Sequence, residues 1–442
     1  MRVRGGASVT NLFPTQKQNL KRFGRSDEGQ ALVLTALALV MLMMMAGLGV
    51  DVGYLRYQKQ QMQKAADAGA LAGAAAFAYN GNWKAAAVAD VNANGFTTIK
   101  NDGTSTGVTI LVDKPWEGPF AGQAGYVEVS VSQPQPTFFM KVFLPDDQNT
   151  VAVRSWAVAS ALGSAPGCIY ALESAGSGAL EVTGSVGIHA ACSILIDSSD
   201  PSAFVKTGSG VVSAKNIGIV GGMSQGGSGL VKPTPMTSLA PFGDPLSLVT
   251  APSPGTCTPQ SGIITGSGTT TLQPATFCRG INISGSGTVI FTAGTYILEG
   301  GGLTVIGSAR LVGNGVTFYN TGNSTYLYAP IKFTGSSVST LSAPTSGVLA
   351  GILFFQDRSI IACCGPTTVN TIDGSSGAVI TGALYFPTTP LKYAGSTTLL
   401  SPYTIMVAWK LEFAGSANTS IFVNYTSLPN GASPIHSSLL VE

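Results

Sequence analysis

Few residues in this 442-residue chain are placed to do chemistry. Ser224 lies in Gly222-Met-Ser-Gln-Gly226, the string of a nucleophile elbow, and His436 follows in the chain order Ser, Asp, His. An elbow needs a helix directly after its serine. Here GSGLVKPTP follows and cannot form one, and a chain with 56 glycines produces such strings by chance. The only other histidine, His189, has Cys192 three residues on, short of the three or four ligands of a zinc site. Acidic residues beyond Ala165 are scattered, among them Glu173, Asp197, Asp244, Glu299, Asp357 and Asp373. They lack the pairing used in glycoside cleavage and the clustering of a calcium site. The expectation is a protein that is not an enzyme, with no catalytic residue, no metal and no cofactor.

Six cysteines make an even count, whose meaning depends on compartment. In an exported region the spacing favours the pairs Cys168–Cys192 and Cys257–Cys278. Closing each loop would stabilise by roughly 3 kcal/mol in the chain-entropy picture. Cys363 and Cys364 are adjacent and form either a vicinal disulfide or two free thiols. No Cys-x-x-Cys spacing occurs, which argues against metal binding.

Compartment is set by the stretch that must position everything else. From Gln30 to Val50 the chain is apolar, and no charge falls between Glu28 and Asp51. About 20 helical residues span roughly 30 Å, the hydrocarbon thickness of a bilayer. Residues 1–29 carry Arg2, Arg4, Lys17, Lys21, Arg22 and Arg25 against Asp27 and Glu28, so the amino end is expected inside and the rest exported. An uncleaved anchor over 30–50 is favoured over a cleavable signal, whose apolar core is shorter. A pilin-type leader is disfavoured because the nearest upstream glycine, Gly24, is followed by Arg-Ser-Asp.

The same helix is expected to continue over 51–80. Leu55, Met62, Gly69 and Ala76 recur every seven residues, with Ala65 and Ala72 between them. Gly49/Gly53 and Gly69/Gly73 are small residues four apart, which lets backbones approach closely. These faces suit either a partner helix or the protein's own sheet. Residues 81–162 read as an α+β unit, with strands in GVTILV (107–112), YVEVSV (126–131), PTFFMKVF (136–143) and TVAVRSWAVAS (150–160) beside the one long helix.

Residues 163–442 change texture. Gly-Ser pairs at Gly184, Gly208, Gly285, Gly307, Gly335, Gly374, Gly395 and Gly415 mostly follow β-branched or apolar stretches. A strand-turn unit recurring about every 20 residues predicts a parallel β-solenoid; a β-sandwich of short strands is the alternative. Proline-rich 221–262 reads as a long loop. Aromatics from Tyr319 to Tyr403 suit either core stacking or a sugar-binding face, core being favoured. Overall composition, with 10% charged residues and a net charge of +2, excludes a basic nucleic-acid binder.

The block from Glu28 to Ala76 resembles the amino-terminal region of TadG-like proteins of Flp-type, tight-adherence pilus systems. The resemblance rests on Glu28-Gly29, the apolar span, Asp51-x-Gly53, and Gln61-x-x-x-Ala65-Ala66-Asp67-Ala68. PTFFMKVF and AVRSWAVAS look like that family's strand region, and residues 274–305 like a Gly-rich region that often accompanies it. The resemblance implies a non-enzymatic component of a bacterial pilus or secretion apparatus, anchored by one span in the inner membrane and partnered by other apparatus proteins. Its amino end would be cytoplasmic and its β region periplasmic or surface-exposed. Some members carry an Asp-x-Ser-x-Ser metal motif; Asp197-Ser-Ser199-Asp-Pro201 and Asp373-Gly-Ser375-Ser-Gly377 lack its last serine. The alternatives are a surface adhesin or carbohydrate-binding module that contacts surface glycans and, less favoured, a polysaccharide-degrading β-helix enzyme.

Overall fold

The computed structural model describes residues 27–79, 81–100, 102–142, 150–164, 167–256, 262–361, 368–374, 378–395, 401–416 and 418–441. The chain forms two compact units, Met1–Gln61 with Ser132–Arg154, and Met62–Val131 with Ser155–Glu442.

Helix α1 (Asp27–Ala78) contributes to both and runs 52 residues, about 78 Å at the usual rise. Leu, Met and Ala dominate its first half, all strong helix formers. Within the first unit, residues 31–50 are exposed apart from Gly47, and α1 is long and apolar enough to cross a membrane. The rest of this unit is the end of strand β2 (Tyr126–Pro136), a 3-10 turn at Met140–Val142, and the start of strand β3 (Thr150–Ser164). Of the strand expected over 136–143, Pro136 ends β2, residues 137–142 form none, and Phe143 lies outside the described residues. Pro136 has no N–H to offer a ladder, and the amides of Phe138, Phe139 and Met140 donate to the Asp51 carboxylate instead.

The second unit holds a helix that the apolar periodicity did not single out, α2 (Trp83–Ala93), whose start is capped by Asn82 accepting from the Ala85 amide at 3.2 Å. Strand β1 (Thr109–Asp113) edges a four-stranded sheet ordered β1, β2, β3 and His436–Leu440. The last strand runs antiparallel to β3, pairing Ser164 with His436 and Ala159 with Leu440. Residues 436–440 thus belong to this sheet and not to the repeat region in which the sequence placed them.

The remainder is mostly β, built from parallel ladders. One ten-stranded sheet shows the rule: its strands follow one another as 263–266, 281–285, 303–307, 331–333, 370–374, 391–395, 411–415, then 180–182, 204–206 and 223–225. Every pairing in it is parallel. A thirteen-stranded sheet runs alongside, again parallel, in which Val379–Phe386 pairs with both Val338–Ser342 and Ile352–Gln356. All-parallel pairing of successive strands is foreign to the antiparallel β-sandwich.

The order of the stack departs from the order of the chain. Leu411–Gly415 pairs with Leu180–Val182, so the early strands continue the stack where the late ones stop. The chain must therefore return from residue 232 at one end of the stack to residue 263 at the other. The expected loop over 221–262 is shorter than its proline content suggested, because Met223–Gln225 and Val231–Lys232 are strands laddered onto Phe204–Lys206 and Val212–Ser213. The segment after them is strapped to the stack. Leu246 and Val249 are buried, and Arg358 donates to the carbonyls of both. Arg358 also donates to the Tyr385 hydroxyl at 2.6 Å, and Tyr385 donates to Asp244.

Inside the stack, Phe291, Phe318, Phe354 and Phe386 follow one another at ring-centroid spacings of 5.0, 5.3 and 6.2 Å. Each buried phenylalanine contributes about 1.5–3 kcal/mol of transfer free energy. Tyr319, Phe355, Tyr385, Tyr393 and Tyr403 are buried too, while Tyr326 and Tyr328 are half-buried.

Candidate functional site: helix α1 and its docked turn

Asp51 ends the apolar run and is itself buried, 1% exposed. Its Oδ1 accepts from the Phe138 amide at 2.9 Å; its Oδ2 accepts from Phe139 at 2.9 Å and Met140 at 2.6 Å. Charge-assisted bonds of this kind are about twice as strong as neutral ones. One carboxylate thereby satisfies three donors that no strand or helix could serve. Around it, the Tyr54 hydroxyl donates to Gln135 Oε1 at 3.1 Å, and the Tyr54 and Phe138 rings meet edge to face at 5.3 Å. Phe139 lies over Gly47, where an added Cβ would stand 2.6 Å from the ring. The arrangement is a latch: the turn after β2 is held against α1 where the apolar run ends.

The expected motif residues fall into two sets. Gly49 and Gly53 are exposed, and a Cβ at either would meet nothing within 4 Å. Leu55 and Gln61 are partly buried. In the second unit, Met62, Ala65, Ala66, Ala70 and Ala74 are fully buried. A Cβ at Gly69 would stand 2.6 Å from Val91 Cγ2, and one at Gly73 3.0 Å from Val127 Cγ1, so α2 and β2 occupy that face. Asp67 accepts from Gln63 Nε2 at 2.8 Å, and the same amide group donates to the Trp156 carbonyl at 2.9 Å. Glu28 and Gly29 lie in the first turn of α1. The sequence pattern marked Asp51 but missed its partners Phe138–Met140, along with Tyr54 and Gly47; the one available signal was Pro136 ahead of two phenylalanines.

At the carboxy-terminal end of α1, the Tyr79 hydroxyl donates to the Pro245 carbonyl at 2.7 Å and accepts from the His436 amide at 3.0 Å. Burial pushes the Tyr79 phenol up to about 12.

Among the other described residues, Ser224, His189 and Asp197 stay apart. Ser224 sits within the strand Met223–Gln225 and not on an elbow. His189 Nδ1 lies 2.8 Å from Ser213 Oγ on an exposed surface. Asp197 accepts from the Phe242 amide at 2.8 Å, a structural bond. Among the described residues no group of three or more His, Cys, Asp or Glu side chains could hold a metal ion. Cys168 and Cys192 are joined by a disulfide with Cα atoms 5.8 Å apart. Cys257, Cys363 and Cys364 lie outside the described residues, and with them the expected Cys257–Cys278 pair and the Cys363–Cys364 alternatives.

Residues 29–76 match the Tad family model, which describes TadE/G-like Flp pilus-assembly proteins. The amino-terminal helix is thus a TadE/G-like segment, and it contains Asp51, Gly53, Gln61, Ala66 and Asp67 of the motif. No curated protein and no solved structure matches the chain.

Proposed function

We propose that this chain is a non-enzymatic structural component of a Tad/Flp-type pilus-assembly or secretion apparatus. Residues 30–50 anchor it in the bacterial inner membrane with the basic segment cytoplasmic, and the β region is exported as a parallel β-solenoid. The observation that carries this reading is α1 itself. One uninterrupted helix has an exposed apolar half and a second half with one face buried by its own fold, and the TadE/G-like match runs across both. Support for export comes from the lysine and arginine bias of residues 1–29 and from the Cys168–Cys192 disulfide, a bond favoured outside the cytoplasm. The exposed Gly49/Gly53 face is where a partner helix of the apparatus would pack.

A reporter active only outside the cytoplasm, fused after Ser160, is expected to be on; silence would overturn the topology. Other apparatus proteins are expected to co-purify with the solubilised chain. A chain that always runs alone, in cells that pilate normally without it, would remove the proposed role. With most of the later aromatics buried, little supports a glycan-binding face.

A further inference from the structure

Phe138 and Phe139 are adjacent aromatics left 48% and 47% exposed on a turn that is otherwise tightly held. A turn facing water has no use for two large apolar rings side by side. Their position indicates what covers them. Phe139 packs on Gly47, which lies within the apolar run and four residues before Asp51, about 6 Å along the helix axis. Leu48 and Val50 beside it on α1 are also exposed, at 42% and 55%. The rings therefore stand level with the end of the span, held there by the three bonds to Asp51. Lys141 follows on the same turn with its side chain exposed, suited to reach outward to lipid phosphates.

From this geometry we infer that the Phe138–Phe139 turn is a second membrane contact, with both rings embedded in the outer acyl-headgroup boundary of the bilayer that α1 crosses. The occupant of the patch is lipid, because the patch is continuous with the surface of the span. In this arrangement Asp51 is a positioning residue. It accepts from the amide donors of the turn, which could not otherwise enter an apolar boundary without cost. The chain is then fixed at two points, which sets the depth and rotation of α1 where it leaves the membrane.

This inference rests on residues 30–50 being a span, and the test separates the two. The full chain is reconstituted in vesicles whose phospholipids are brominated either near the carboxyl end or near the methyl end of the acyl chain. Tryptophan emission is then compared with that of the unsubstituted chain for Phe138→Trp, Phe139→Trp and, as a control in the span, Leu42→Trp. The expected result is that the emission added at 138 and 139 is quenched mainly by shallow bromine, and that at 42 mainly by deep bromine. Quenching at 42 with none at 138 or 139 would overturn the inference and leave the span intact, placing the turn in water or against protein. No quenching at any of the three positions overturns the span and the inference together. Using both Phe138→Trp and Phe139→Trp guards against one substitution disturbing the turn.

Discussion

Asp51 shows what a single carboxylate can decide. Asparagine in its place keeps the shape but has one oxygen and no charge, so at least one of the three amides is left without an acceptor. In Asp51→Asn, hydrogen exchange at Phe138–Met140 is expected to speed up by about tenfold or more, while the parallel sheets are unaffected. The residue was legible as part of a motif, yet its role was not. Sequence spacing says nothing of amides nearly ninety positions away, and an apolar PTFFMKVF reads as a strand until its donors are counted. His436 carries a second prediction. It is half-buried against the Tyr79 ring at 5.2 Å, and burial holds its imidazole below the ordinary 6.5. A depressed value means that its contribution is fully present above about pH 6.5 and is lost as pH falls through the folded value. Protection of the 436–440 amides, taken relative to their intrinsic exchange at each pH, should therefore fall between pH 7.5 and 5, by up to about tenfold for each unit of depression, and His436→Asn should abolish the trend.

Between elements, the two glycine pairs on α1 make opposite predictions. Gly69→Val forces a side chain into Val91 and the Ala87 carbonyl, and should cost about 1–3 kcal/mol in urea unfolding. Gly53→Ala enters open space and should stabilise the isolated chain by roughly 0.5–1 kcal/mol through helix propensity alone. If a partner helix packs there, the same substitution weakens co-purification with the apparatus even as the chain itself becomes more stable. Small residues four apart announce close approach without saying to what, which is why the sequence left both pairs open. Helix α2 escaped notice for a related reason. Ala-rich WKAAAVADVNA buries only Ala87 and Val91, too few positions to set up a period.

For the molecule as a whole, the recurring Gly-Ser pairs mark a ladder, and the ladder has an inside and an end. Gly208 sits at φ +91° with the Gly184 carbonyl 2.1 Å from where a Cβ would be, whereas the corresponding Gly266, at φ +108°, has no atom within 4 Å. Gly208→Ala meets both strain and a clash; Gly266→Ala meets strain alone, of order 1–3 kcal/mol. Thermal unfolding should show a clearly larger fall in midpoint for the first. The parallel strands and their spacing were legible because each copy carries the same strand-turn chemistry. Their neighbours were not, because a repeat period does not say that 411–415 will pair with 180–182. Nor does a period announce the segment 233–256 that such an order requires, where Asp244, Leu246 and Val249 are tied to Arg358 and Tyr385.

The strand His436–Leu440 has a bearing on how such a chain emerges. In the proposed topology its partner β3 would emerge soon after the helix, with the whole parallel stack still to come, yet β3 has its neighbour on that side only once residue 436 has followed. Until then β3 presents an open edge of backbone donors and acceptors, the kind of surface that invites mispairing or a protease. A chain arrested anywhere in the stack keeps that edge exposed, and one that completes the stack covers it. In the proposed topology the small sheet would thus work as a receipt, recording that the distant part of the chain has arrived.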